Sequence, residues 1–146
     1  MLAAGFLLTI LISLTRAQSV VHPSWYIDCS KHGSLQDIQI EVYNRSVVEV
    51  YEEARMTVTI VFSVDRPIHS GFHSNDQTSV GSYSFRTYFH NEDVCQHIIE
   101  GCPSIPGWTY TYRITNVLVD PTPDVKISWR LLDNKRRPFV CVDFRL

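Results

Sequence analysis

The sequence predicts an all-β protein in which two antiparallel sheets pack face to face. Three observations carry that expectation. Apolar residues recur at every second position through most of the chain, the period of a strand with one buried face. Turn-rich stretches such as DRPIHSG, HSNDQTS, DPTPD and DNKRRP separate these runs. Helical periodicity fails throughout, apart from a short turn that the pattern allows at 47–53. Seven or eight short strands, each with one apolar face, have to bury those faces against each other.

Taken in order, the chain opens with LAAGFLLTILISL, thirteen nearly apolar residues followed by Thr15-Arg16-Ala17. A bilayer span takes about 20 such residues. Small residues at Thr15 and Ala17 suit a signal peptidase, so residues 1–17 read as a leader and 18–146 as one mature domain. DIQIEVY (37–43) then places Ile38, Ile40 and Val42 on one face, and MTVTIVFSV (56–64) does the same with Met56, Val58, Ile60, Phe62 and Val64. SYSFRTYF (82–89) aligns Tyr83, Phe85 and Phe89. After a Cys-Pro turn, Trp108, Tyr110, Tyr112 and Ile114 alternate with Thr109, Thr111 and Arg113. VKISWRL (125–131) turns Val125, Ile127, Trp129 and Leu131 inward, and PFVCVDF (138–144) closes the series.

Four cysteines in an exported chain suggest two disulfides, with three connectivities open. Cys95 and Cys102 lie seven apart with Gly101 between them, which favours a local bridge and leaves Cys29 for Cys141. No C-x-x-C spacing points to zinc. An antibody-type domain would enclose a Trp between its bridged cysteines. Trp25, Trp108 and Trp129 all fall outside 29–95, so that reading is set aside.

Composition narrows the function. Hydrophobic residues make up 45% and charged residues 19%, an ordinary globular balance. Losing Arg16 with the leader leaves 12 of the 13 basic residues against 15 acidic ones, a net charge of −3 that gives no reason to bind nucleic acid. No G-x-S-x-G or paired metal motif occurs, and the strands gather no nucleophile, base and orienting group, so no enzyme is expected. His69 and His73 sit in a turn-rich stretch rather than on a helix and read as loop histidines, with no metal. A further expectation gathers His69, His73, His90 and His97 at a cavity mouth, where protonation loosens a ligand. Asn44-Arg45-Ser46 is an N-glycosylation sequon, and DNKRRP reads as a basic hairpin.

Asp28-Cys29-Ser30, Cys102-Pro103, Gly107, Tyr110-x-Tyr112, Ile127-x-Trp129-x-Leu131-x-Asp133 and Cys141 occur in an order that resembles the ML lipid-recognition domain family, over about 28–144. The resemblance implies an immunoglobulin-like β-sandwich of two antiparallel sheets with an apolar cavity between them. It also implies the bridges Cys29–Cys141 and Cys95–Cys102. Many relatives carry a third short-range bridge, whereas this chain has no cysteine from Ser30 to Val94.

The lining implied by the resemblance and the inward faces together is Ile60, Phe62, Tyr83, Phe85, Phe89, Tyr110, Val117, Val119, Ile127 and Trp129. Val119 is the closest match to a sterol-contacting valine of Niemann-Pick-type relatives. The bulk of these aromatics favours sheets held apart over a filled centre. The leading function is then a secreted monomer that binds and transfers a sterol, fatty acid or similar hydrophobe. It has no cofactor beyond the bound lipid, and a lipid-accepting membrane protein or receptor is the further candidate partner. The location is extracellular, or alternatively a lysosomal or endosomal lumen. A second reading is a lipid-presenting accessory subunit of an innate-immune receptor, which needs an exposed apolar patch such as Ile68, Phe72 and Ile105. The third is a filled-core interaction module without ligand.

Overall fold

The computed structural model describes residues 19–21, 23, 25–30, 33–48, 51–79, 84–89, 92–119 and 124–146. The leader and Tyr83 lie outside the described residues. The strands are β1 (Ser19–Val21), β2 (Tyr26–Asp28), β3 (Gly33–Val48), β4 (Tyr51–Val64), β5 (Gly71–Thr78), β6 (Ser84–Tyr88), β7 (Thr109–Val119), β8 (Lys126–Asp133) and β9 (Pro138–Arg145), with a 3₁₀ turn at Val94–His97 before β7. One sheet has the order β1-β3-β4-β7 and the other β2-β9-β8-β5-β6. Among the described residues every strand pairing is antiparallel. The all-β sandwich predicted from period-two alternation is the fold.

The first sheet is built on β4. Its even positions Met56, Val58, Ile60 and Phe62 are buried, and β3 answers with Ile38 and Ile40. β7 contributes Tyr110, Tyr112 and Ile114, and then its register slips. Met56 pairs with Val117 while Val58 pairs with Ile114, so an extra residue bulges from β7 around 115–116. That slip changes the parity of the strand and turns Val117 and Val119 inward as well.

In the second sheet Ile127, Trp129 and Leu131 of β8 and Phe139, Val140, Val142 and Phe144 of β9 have essentially no accessible surface. The two layers meet ring to ring. Phe62 lies 5.8 Å from Phe139, and Tyr112 lies 6.2 Å from Trp129.

Four expectations are corrected. GFHSNDQT, read as part of two turn-rich stretches, is β5, paired with β8 along its whole length and with β6 over its second half. Its inward side chains are polar, so apolar alternation gives no sign of it. The turn allowed at 47–53 is instead the closing end of the β3–β4 hairpin, where Val48 pairs with Tyr51. Trp108 does not share the face of Tyr110 and Tyr112. It precedes the strand, its N–H closes a turn onto the Ile105 carbonyl, and its side chain is 61% exposed. Ile68 is buried rather than exposed.

Both disulfides form as predicted. Cys29–Cys141 joins the segment after β2 to β9 across 112 residues, and Cys95–Cys102 staples the 3₁₀ turn to the loop before β7. The β8–β9 hairpin is anchored by Asp133, a buried carboxylate. It accepts hydrogen bonds from the backbone N–H groups of Lys135 and Arg137, from the Arg137 guanidinium and, at 3.3 Å, from Arg66. Burial alone would raise its pKa, but the Arg137 backbone and guanidinium and the Lys135 N–H hold it below the usual carboxylate range.

Two stability measurements follow from these contacts. Asp133→Ala strands several donors and should cost about 2–4 kcal/mol in chemical denaturation. Because the folded pKa lies below the unfolded one, the wild-type contribution is complete above about pH 4 and is lost as pH falls through the folded value. The pH profile of the variant should therefore be flatter at the acid end. Removing Cys29–Cys141 should cost about 4–5 kcal/mol and removing Cys95–Cys102 about 2–3, following the loop lengths they close. Equal losses would count against the chain-entropy account.

Candidate functional site

β7 ends one sheet and β6 ends the other, and the gap between these two edges is only partly covered. The 3₁₀ turn crosses it. Its exit pairs with β7 through Ile98 and Tyr112, the Ile99 N–H donates to the Thr111 carbonyl, and the Thr111 N–H donates to Glu100. Past this cover, a cleft of about 530 Å³ opens between the turn, Phe89 at the end of β6, and β7 at Ile114, Thr115 and Val117. Ile98 and Ile99 form its apolar wall, with Arg113, His97 and Glu92 as its charged and polar rim. The β7 bulge lies at this opening, where it re-aims the strand.

A second cavity of about 530 Å³ lies on the other side of Phe89, against Phe72 and His73 of β5 and Leu132 and Arg136 of the β8–β9 hairpin. Phe89 and Glu92 line both. The Phe89 ring is stacked on His73 at 4.3 Å and lies 5.8 Å from Trp129, so it stands between the open volumes and the aromatic interior.

Of the residues singled out from sequence, Phe89 and Val117 line the first cavity. Ile60, Phe62, Tyr110, Val119, Ile127 and Trp129 are buried in the contiguous core behind it. Phe85 belongs to β6, whose side chain there is not described, and Tyr83 is outside the described residues. Asn44 pairs through its backbone with Ala54 on β4. Ile98, Ile99, Thr115 and Glu92 escaped sequence reading because no strand period marks the 3₁₀ turn or the bulge.

The inward row of β5 also escaped it: His73, Asn75 and Gln77 are buried between the sheets. Across the ladder they face Leu131, Trp129 and Ile127. Polar atoms in such a place normally have partners. Gln77 donates to the Leu118 carbonyl at 2.9 Å, tying β5 to β7. His73 Nδ1 shares a hydrogen bond of 2.6 Å with the Tyr112 hydroxyl. Asn75 Nδ2 and His73 Nε2 have none, and the Trp129 indole N–H is directed at the Tyr112 hydroxyl. Burial, and then the neighbouring His97, lower the His73 pKa to about 4 against the opposing pull of Glu92 and Asp93. Burial likewise raises the Tyr112 hydroxyl well above 10. Both groups are therefore neutral at pH 7. Of the four histidines expected at a mouth, His73 and His97 come together, with ring centres 4.9 Å apart. His69 is exposed, and His90 is outside the described residues.

A family model described as the ML domain matches residues 23–146. Among solved structures, the chain is similar to a Niemann-Pick type C2 protein from Japanese carpenter ant, with a TM-score of 0.62 at 18% identity, covering 83% of this chain and 96% of that one. It also aligns with chicken MD-1 complexed with lipid IVa, with a TM-score of 0.44 at 16% identity, over 77% of this chain and 94% of the other. No curated protein sequence matches the chain.

Asn75 accepts from Gln77 through Oδ1, but its buried Nδ2 donors have no partner, and such a group lowers stability. Asn75→Leu should therefore leave unfolding free energy unchanged or raise it, by up to about 2 kcal/mol. A loss of that size in urea denaturation would mean that the Nδ2 donors are satisfied in solution.

Proposed function

The chain belongs to the ML-domain family, and from that premise we propose that it binds a small lipid, a sterol, fatty acid or similar hydrophobe, between its sheets and carries it without chemical change. ML domains are lipid-binding modules, which supports the general activity. The observation that carries the reading is the cleft at the β6–β7 edges. Its apolar wall of Ile98, Ile99, Ile114 and Val117 leads to Phe89, behind which lie Trp129 and Tyr112. Its volume of about 530 Å³ falls within the range of about 300–1,000 Å³ usual for ligand pockets.

In this reading the ligand enters beside the 3₁₀ turn, displaces the Phe89 ring and reaches the aromatic interior. Ile60, Phe62, Tyr110, Val119, Ile127 and Trp129 then become its deep contacts. Burying about 400 Å² of apolar surface yields on the order of 10 kcal/mol gross, reduced by association and ordering costs. That supports micromolar to nanomolar affinity with weak discrimination among hydrophobes of similar shape. Discrimination comes instead from the unpartnered Asn75 amide N–H₂, which suits an oxygen on the ligand. The two disulfides support an oxidising destination, extracellular fluid or a lysosome-like lumen. A second reading, presentation of the bound lipid to a receptor, is favoured by Ile105 and Trp108, which stand exposed on one turn.

Native mass spectrometry of the purified protein, followed by solvent extraction, should release a lipid in stoichiometric amount. Protein that emerges bare is to be titrated with a fluorescent sterol and a fluorescent fatty acid. Failure to bind either would remove the carrier reading. Thr115→Trp adds bulk at the exposed rim of the cleft and should weaken binding at least tenfold with the thermal midpoint unchanged. Unaltered affinity in that variant would move the entrance elsewhere.

A further inference from the structure

We infer that His73, Glu92 and His97 form a binding site for a divalent transition-metal ion of the zinc class, set between the two cavities. The three residues come from separate elements. His73 is on β5, Glu92 lies on the approach to the 3₁₀ turn, and His97 is the last residue of that turn. His97 Nε2 is 2.9 Å from Glu92 Oε2, and His73 Nε2 is 3.8 Å from the same oxygen. All three ligand atoms fall within 4.8 Å of one another. Around tetrahedral zinc, donors at about 2.0–2.1 Å from the metal lie about 3.3 Å apart. Two of the spacings already bracket that value. The remaining closure falls to Glu92 and His97, both partly exposed and able to move.

His73 supplies the second observation. Its side chain has no accessible surface, and its Nε2 has no hydrogen-bond partner. The other ring nitrogen is committed to Tyr112. In the tautomer whose Nδ1–H donates to the Tyr112 oxygen, Nε2 presents a lone pair on the side of the Glu92 carboxylate. A cation between these two acceptors is held by both. A partner on the far nitrogen that fixes tautomer and ring orientation is the arrangement metal-ligating histidines use.

The scaffold around the three is already tied down. Asp93, next to Glu92, accepts from the N–H of Gly71 on β5 at 3.1 Å and from that of Cys95 at 2.9 Å. The Cys95–Cys102 bridge fixes the turn that carries His97. Gly71 is required there, since a Cβ would fall 1.9 Å from the Leu132 carbonyl oxygen. Glu92 lines both cavities, so an ion has a path in and a fourth coordination position open to water. The site shares Glu92 and His97 with the rim of the lipid cleft, but it uses neither Asn75 nor the apolar wall, so zinc titration of protein without lipid reads it separately from lipid binding.

Isothermal titration of the EDTA-stripped full chain with zinc chloride at pH 7.4 should give one saturable site in the micromolar range, and cobalt(II) should give a visible absorption band of a low-coordinate complex. His73→Gln should weaken zinc at least twentyfold, as should the double variant Glu92→Gln/His97→Gln. The double variant alters only partly exposed residues and decides the matter if His73→Gln does not fold. His69→Gln, at an exposed histidine outside the cluster, should change nothing. Absence of saturable binding up to 100-fold above micromolar zinc would overturn the assignment, as would zinc affinity retained in the double variant.

Discussion

One short hydrogen bond sets how the two sheets meet at the edge where they would otherwise be free to part. His73 belongs to one layer and Tyr112 to the other, and they meet at 2.6 Å beside the β6–β7 opening. Besides the Gln77 bond to the Leu118 carbonyl, the layers are held by non-directional packing of Phe62 on Phe139 and Tyr112 on Trp129, which tolerates sliding and spreading. The polar contact does not. It fixes the depth of Tyr112, the orientation of the imidazole, and through stacking the resting place of Phe89. Burial strengthens it, because water cannot compete for either partner. The geometry of both cavities is referred to this point.

Polar groups are costly in such an interior, and the row His73, Asn75 and Gln77 is where this chain departs from the usual economy of a β-sandwich. Gln77 compensates by bonding the opposite sheet. Asn75 does not: its Oδ1 accepts from Gln77 at 3.4 Å, but its Nδ2 has no partner. An apolar residue of similar volume would pack at least as well. Its presence is intelligible in a protein whose interior is completed by a molecule that brings its own oxygen.

The same row marks how far the sequence could be read. β3, β4, β7, β8 and β9 are visible because Ile38, Ile60, Tyr112, Trp129 and Val142 repeat at period two and are buried as that period requires. The disulfides are legible too, since a seven-residue spacing selects its own partner and leaves the other pair. β5 is invisible because its buried face is polar, and hydropathy reports burial only when burial is apolar. Phe89 and Val117 could be singled out on aromatic or strand position. Ile99 and Glu92 could not, since their place depends on how a 3₁₀ turn folds across a sheet edge. Trp108 shows the opposite failure: it continues the alternation of Tyr110 and Tyr112 past the point where the strand begins.

The bulge in β7 also bears on how this molecule meets copies of itself. A sheet edge left free at a ligand entrance is a row of unused donors and acceptors, the template on which another strand adds. Here the turn covers the first part of that edge, and the slip at 115–116 breaks the regular spacing of the remainder. A straight, incoming strand meets no continuous ladder. The irregularity that gives the cleft its mouth thus also guards it, so an opening can be kept in the sandwich without offering a seam for aggregation.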